Sequence, residues 1–138
     1  QIFRLSGIYS NQNNILARLK TGKVKIIDKK NQFFSRIHVE DIANVLFRSL
    51  QKFKSNEIYN VSDDKPTPSE ELISYGCKLL NIEKPKIAGL STIENEMVKN
   101  FYKDSKKVNN SKMKFFFDYK LKYPTYVEGL DHIFNNNI

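Results

Sequence analysis

Residues 33–43, Phe-Phe-Ser-Arg-Ile-His-Val-Glu-Asp-Ile-Ala, constrain this chain more than any other stretch. An aromatic and β-branched run passes into a helical pattern with no loop residue between them. Phe34, Arg36 and His38 alternate with Phe33, Ser35, Ile37 and Val39, which is the period of a strand, so Arg36 and His38 share one face. Glu40 and Asp41 come next. Carboxylates suit the first turn of a helix, where free amides give the dipole its positive end. Ile42, Val45, Leu46, Leu50 and Phe53 then recur at helical spacing and predict a buried stripe on a helix over 40–53. A cation and an imidazole held at a strand–helix junction suit contact with an anionic ligand. The same two residues suit a structural role, with His38 fixing the junction by a hydrogen bond.

The rest of the chain alternates in the same way. Residues 1–9, ending Arg4-Leu5-Ser6-Gly7-Ile8-Tyr9, read as a strand that begins abruptly. Ile15, Leu16 and Leu19 give a short helix stopped by Gly22. Residues 24–27 and 33–39 read as strands joined by a hairpin turn at 28–32. Residues 57–62 read as a further strand, closed by Asp63-Asp64-Lys65-Pro66. Thr67, Pro68 and Glu70 predict a capping box, and Leu72, Ile73, Leu79 and Leu80 the buried face of the helix it opens. Ser91 and Glu94 predict a second box for a helix to Tyr102, and Thr125 and Glu128 a third for a helix to Phe134. Residues 112–117 read as a short helix, 121–123 as a short strand, and 135–138 are expected to fray. This alternation gives the α/β class. The segments 1–9 and 57–62 both look like sheet strands short of neighbours.

Composition narrows the function classes. A chain of 138 residues has room for one domain with a modest core. No apolar run approaches the roughly 20 residues that a membrane span needs, and residues 1–10 lack the layout of a signal peptide. The single cysteine, Cys77, has no disulfide or metal partner and fits a reducing compartment, the cytoplasm. A net charge of +8 invites a nucleic-acid reading. Against it, all of the 23 basic residues except Arg4, Arg18, Arg36 and Arg48 are lysines, spread over every segment, and asparagine is abundant. That is the pattern of low-GC codon usage, whereas nucleic-acid sites favour arginine interleaved with aromatics.

Four pieces taken together resemble the C-terminal half of an extended or atypical short-chain dehydrogenase/reductase, in the NAD(P)-dependent epimerase/dehydratase family. They are Phe3-Arg4-Leu5-Ser6-Gly7-Ile8-Tyr9, Arg36-Ile37-His38-Val39-Glu40-Asp41-Ile42-Ala43, Ile58-Tyr59-Asn60-Val61-Ser62-Asp63-Asp64 and Tyr123-Pro124-Thr125-Tyr126-Val127-Glu128-Gly129-Leu130. The chain looks most similar to the nucleoside-diphosphate-sugar epimerase-like branch. The resemblance implies the last strands of a Rossmann-like NAD(P)-binding sheet plus a small α+β substrate-binding region. Residues 1–22 and 55–81 would carry the late strands and helices, and 23–54 and 82–138 the substrate-binding part. It also implies a preceding half with a glycine-rich dinucleotide loop. No such loop occurs here, so the chain is expected to be a fragment. NAD or NADP would bind the full-length protein and not this part alone.

The resemblance places the nicotinamide end of the cofactor near Gly7, Ile8 and Tyr9, and the substrate near Arg36 and His38. Two departures stand out. Tyr9 is followed by Ser10-Asn11-Gln12 where the family has Gly-Pro-Gly. The phosphate-binding arginine that the family often places four residues before the histidine is Phe34 here, with Arg36 two residues nearer. Tyr102 and Lys106 spell the family's Tyr-x-x-x-Lys, but the catalytic pair belongs in the preceding half, so no catalytic residue is assigned. Asp41, Asp63, Asp64 and His132 are expected to be structural. The first functional reading is the substrate-binding portion of a nucleotide-sugar epimerase, dehydratase or related reductase, inactive alone. A second is a binding module that pairs with a protein partner or its own copy through exposed sheet edges. A third is a basic nucleic-acid binder.

Overall fold

A computed structural model of the chain describes residues 1–136. The strand expected at 1–9 forms, and it changes partner midway. Its first part, β1 (Ile2–Leu5), pairs in parallel with β5 (Ile58–Val61), Ile2 opposite Ile58 and Leu5 opposite Val61. Its second part, β2 (Gly7–Tyr9), pairs in parallel with β4 (Arg36–His38). At the switch Ser6 N donates to the Val61 carbonyl at 3.1 Å and Gly7 N to the Ser35 carbonyl at 3.0 Å. Past this point β4 lies between β2 and the end of β5, because Asp63 N donates to the Arg36 carbonyl at 2.7 Å. The two strands that looked short of neighbours are therefore neighbours of each other, and β4 is a wedge between their carboxyl ends.

The expected hairpin over 24–39 does not form. Instead β3 (Ile26–Ile27) pairs in parallel with β6 (Ile87–Ala88), and β4 has 3 residues. The cause is competition for backbone partners. Phe34 bridges antiparallel to Thr67, each amide donating to the other's carbonyl at 3.0–3.1 Å. The turn at 28–32 is held by a distant segment: Lys29 Nζ donates to the Tyr102 carbonyl and the Gln32 side-chain amide to the Asp104 carbonyl. A local hairpin would forfeit these bonds and leave buried backbone groups unmet.

The same bridge overturns the Thr67 cap. With its backbone committed to Phe34, Thr67 turns its hydroxyl to the Lys65 carbonyl at 2.7 Å, and α3 (Ser69–Leu80) starts at Pro68 without a side-chain cap. Ser91 does not open a helix either. A 3₁₀ turn (Leu90–Thr92) comes first, and α4 (Glu96–Phe101) is capped by Asn95, whose Oδ1 accepts from Met97 N at 2.9 Å. The third box does form: Glu128 accepts from Thr125 N at 2.9 Å at the start of α6 (Tyr126–Asn136). Asn135 and Asn136 are helical rather than frayed, and residues 137 and 138 lie outside the described residues. Among the described residues four non-glycine residues take the left-handed conformation: Asn31, Asn56, Asn81 and Asp118, with φ between 47° and 59°. Asn81 ends α3 and Asp118 ends α5 (Ser111–Phe117).

Two apolar clusters flank the strands. In one, α1 (Ile15–Lys20), α3 and α6 bury Leu16, Leu19, Ile73, Cys77, Leu130 and Ile133 together with Tyr9 and Ile26. In the other, α2 (Val39–Gln51) and α5 pack on β4 and β5 through Ile37, Val45, Tyr59, Val61, Met113 and Phe117. Only the first half of the expected α2 stripe is buried. Ile42 and Val45 are covered, whereas Leu46 is 42%, Leu50 83% and Phe53 69% exposed. The strands cover the N-terminal turns of the helix; on the later turns Arg48 and Lys52 reach Phe117 and Phe116 of α5, while Leu46, Phe47 and Leu50 stay uncovered. No helix among the described residues is long and apolar enough to cross a membrane.

Candidate functional site at the β2–β4 corner

The register of β2 and β4 sets Tyr9 opposite His38 at the carboxyl ends of two parallel strands. Ligands of open α/β sheets collect at this end. His38 is fully buried and serves as the N-cap of α2, its Nδ1 accepting from Glu40 N at 3.2 Å. That bond assigns the proton to Nε2, which has no partner among the described residues. Burial holds the His38 pKa below its ordinary value, so the ring is neutral at pH 7. Its faces meet Tyr9 edge-on at 5.0 Å and Tyr123 at 4.2 Å between ring centres, with His132 at 6.5 Å. The structural hydrogen bond expected of His38 is thus present, and it leaves one nitrogen unused.

Arg36 is half-buried. Its Nη1 donates to the Phe34 and Thr67 carbonyls, both at 3.2 Å, and the guanidinium lies 6.0 Å from the Phe34 ring centre. Phe34, standing where the family places its arginine, therefore supports Arg36 with both carbonyl and ring. Nε and Nη2 have no hydrogen bond among the described residues. Burial lowers the Arg36 pKa and Asp63 opposes that shift.

Asp63 is buried beside it. Oδ1 accepts from Lys65 N at 3.0 Å, and Oδ2 has no partner among the described residues. Burial pushes its pKa up to about 7, against the opposing pull of the Lys65 amide and Arg36. The Tyr9 hydroxyl is also buried without a partner among the described residues, and burial, then Asp63, raise its pKa. That hydroxyl presses on α6 where residue 129 is glycine; a Cβ there would overlap it. Gly7 sits tight against β4, where an added Cβ would lie 3.3 Å from the Ser35 carbonyl, and Ile8 is exposed.

Asp41 is a structural anchor, as expected, though for a different reason than the helix dipole. It is fully buried and accepts from Tyr119 Oη at 2.6 Å, Lys122 N at 2.7 Å and Tyr123 N at 3.0 Å. The strand expected at 121–123 does not form; the Lys122 and Tyr123 amides donate to Asp41 instead. His132 is half-buried against Tyr123, with 5.2 Å between ring centres. Tyr102 and Lys106 do not act as a pair: Tyr102 packs edge-on against Phe34 at 5.5 Å, and Lys106 meets Asp104 at 3.3 Å.

The sequence reading missed a second polar opening. Between β3 and the start of α3 lies a cavity of about 120 Å³, lined by Lys29, Lys30, Gln32, Phe34, Ser69 and Tyr102 among others. Gln32 is buried and its Oε1 has no partner among the described residues. The only signal was Gln32 itself, an ordinary residue in an expected turn.

No protein-family description matches the chain, and no curated protein does. Solved structures do. The chain matches a conserved protein of unknown function from Silicibacter pomeroyi with a TM-score of 0.90 and 37% identity, over 95% of this chain and 47% of that one. It matches the human epimerase family protein SDR39U1, solved with NADPH, with a TM-score of 0.79 and 16% identity, over 97% and 48%. The UDP-glucose 4-epimerase of Thermotoga maritima, solved with UDP-glucose, gives 0.75 and 15%, over 96% and 44%. The chain has the fold of the C-terminal part of the Rossmann-like epimerases. It spans about half the length of these structures.

The residues present do not build a dinucleotide cradle. That cradle needs a glycine-rich turn from strand to helix, where backbone amides approach a pyrophosphate. The glycines here are Gly7, Gly22, Gly76, Gly89 and Gly129, scattered singly. The direct strand-to-helix junction, at His38-Val39, is closed by the imidazole instead. Among the described residues no group of three or more His, Cys, Asp or Glu side chains is placed to hold a metal.

Proposed function

We propose that this chain is the substrate-shaping part of an NAD(P)-dependent epimerase, dehydratase or related reductase acting on a nucleotide sugar, and that it has no turnover by itself. The observation that carries the reading is the parallel register of Tyr9 with His38, two strand positions beyond Arg36 paired to Gly7, at the ligand end of a sheet with the epimerase fold. In this reading residues 1–22 and 55–81 carry the late strands and helices, and 23–54 and 82–138 shape the substrate pocket. The cofactor belongs to residues outside this chain and comes near the backbone of Gly7, Ile8 and Tyr9. Arg36 supplies a fixed positive charge for an anionic group of the substrate, with Nε and Nη2 free to bond it. His38, neutral and capped into α2, contributes one N–H donor at the same end. Cys77, buried in the α1–α3–α6 cluster, suits the reducing cytoplasm.

The coding DNA upstream of Gln1 tests the reading directly. An in-frame segment encoding a strand, a glycine-rich turn and a helix is the expected result. A start codon at this boundary with a stop codon before it would overturn it. In a full-length product, Arg36→Gln is expected to raise KM for the nucleotide sugar about tenfold or more with kcat little changed, the mark of a lost charged contact made equally in ground and transition states.

A further inference from the structure

The proposed site leaves one cavity unexplained, the polar opening between β3 and the start of α3, and its wall holds an unmet acceptor. Gln32 is 4% exposed and lines it. Gln32 Nε2 donates to the Phe101 and Asp104 carbonyls, which assigns the amide: the donor is spent and Oε1 is the free branch. Oε1 has no partner among the described residues. A buried carbonyl oxygen left this way is costly and suits a wall that a ligand completes. Unmet donors line the same cavity. The Phe34–Thr67 bridge leaves α3 without a side-chain cap, and neither Ser69 N nor Glu70 N has a hydrogen bond among the described residues. Both residues belong to the wall, and the first amides of a helix point out past its N-terminus.

The occupant follows from charge and size. Lys29 and Lys30 are matched in the wall by Asp28 and Glu70, so full charge selects neither sign. A wall of one acceptor and two amide donors fits a neutral edge that sets an N–H beside an acceptor atom. The cavity volume of about 120 Å³ is well below the roughly 300–1,000 Å³ of a whole-ligand pocket, which leaves room for one ring of a larger ligand. A pyrimidine base has that edge in a single ring, whereas a purine has two rings. Phe34 also lines the cavity, and its ring centre lies 6.0 Å from Arg36 Cζ, so a nucleotide seated here brings its anionic group toward Arg36. We propose that this cavity seats the pyrimidine base of the substrate, with Gln32 Oε1 accepting a base N–H and the Ser69 and Glu70 amides donating to the acceptor next to it. This rests on the proposed function and names the residues that read the base.

The test is titration of the chain with uridine, 3-methyluridine and adenosine, each with and without a 5′-phosphate, followed by the NMR shifts of backbone and side-chain amides. Uridine is expected to move the Gln32 side-chain amide and the Ser69 and Glu70 amides. 3-Methyluridine, which has lost the N3–H, and the two-ring adenosine are each expected to bind about tenfold or more weaker. The methylated probe challenges Gln32 Oε1 without altering the protein. Ser69→Pro removes one amide donor at the first helical position, where proline is suited, and Pro68 already has the extended backbone that a following proline requires, with ψ 144°. This variant is expected to keep the melting temperature and to weaken uridine about fivefold or more. No uridine binding, equal binding of uridine and 3-methyluridine, adenosine binding as tightly as uridine, or a uridine affinity untouched by Ser69→Pro would each overturn the assignment. The phosphate arm reads the functional proposal separately. Affinity that the 5′-phosphate adds and Arg36→Gln removes supports the Arg36 contact whichever base is preferred; a phosphate that adds none counts against that contact and leaves the base cavity standing.

Discussion

Helix α2 begins in one environment and ends in its opposite. Its first turns hold a charged residue in complete burial: Asp41 has no exposed surface and three hydrogen bonds. Its last turns hold leucine and phenylalanine in the open, Leu50 at 83%. The usual expectation is reversed at both ends. Among the described residues the corner around His38, Asp41 and Asp63 is an internally satisfied unit apart from three atoms, Tyr9 Oη, His38 Nε2 and Asp63 Oδ2. On the outer turns the polar residues Arg48 and Lys52 reach α5, while Phe47 and Leu50 stand exposed. Polar order in this chain is local and self-contained, while apolar burial is left unfinished.

The contrast breaks most readily at Asp41. Asp41→Ala leaves two backbone amides and a tyrosine hydroxyl without their acceptor, and a loss of ~3–5 kcal/mol in denaturant unfolding is expected. A loss under ~1 kcal/mol would mean that the corner is not a self-contained unit. Next comes Asp63. Its folded pKa of about 7 lies above the ordinary 3.8, so the folded state holds this proton more tightly than the unfolded one. The stability it contributes is full below about pH 4 and is lost as pH rises through about 7, by ~2–4 kcal/mol. Asp63→Asn is expected to flatten the stability profile over that window, measured by unfolding across pH.

Gly129→Ala sharpens the packing side. The new methyl collides with the Tyr9 hydroxyl, and a cost of ~1–3 kcal/mol is expected. Adding Tyr9→Phe removes the hydroxyl but leaves the ring carbons Cε2 and Cζ 2.7 Å from the new methyl, so it is expected to restore only part of the loss, which a double-mutant cycle on Tm reads out. The smallest effect belongs to the open end of α2. Leu50→Ser touches no buried group and is expected to stay within ~0.5 kcal/mol of the parent. A clear destabilisation there would show that this face is covered in solution.

The corner was legible in the sequence because its signals are local. The strand period of Arg36 and His38, the acidic first turn and the Thr125–Glu128 box each involve residues within one turn of one another, and each formed. The failures are long-range. The Thr67 box lost to a bridge with Phe34, far away in the chain, and the hairpin lost to β6 and to the Tyr102–Asp104 carbonyls. The amphipathic period of α2 was read correctly, but periodicity says which face is apolar and not how much of it finds a partner. The unused atoms of Tyr9, His38 and Asp63 have no sequence signature, since their state depends on burial.

The left-handed asparagines change the meaning of an otherwise dull composition. Asn31, Asn56 and Asn81 occupy backbone positions that glycine usually fills, in a chain with only 5 glycines. Glycine at such a turn gives the unfolded chain extra freedom that folding must remove, about 0.5–1 kcal/mol per site relative to a residue with a side chain. Asparagine tolerates the same dihedrals while leaving the unfolded chain stiffer. What looks like drift toward a codon-poor alphabet therefore also narrows the denatured ensemble, and asparagine in this chain acts as a hinge-pin of folding entropy.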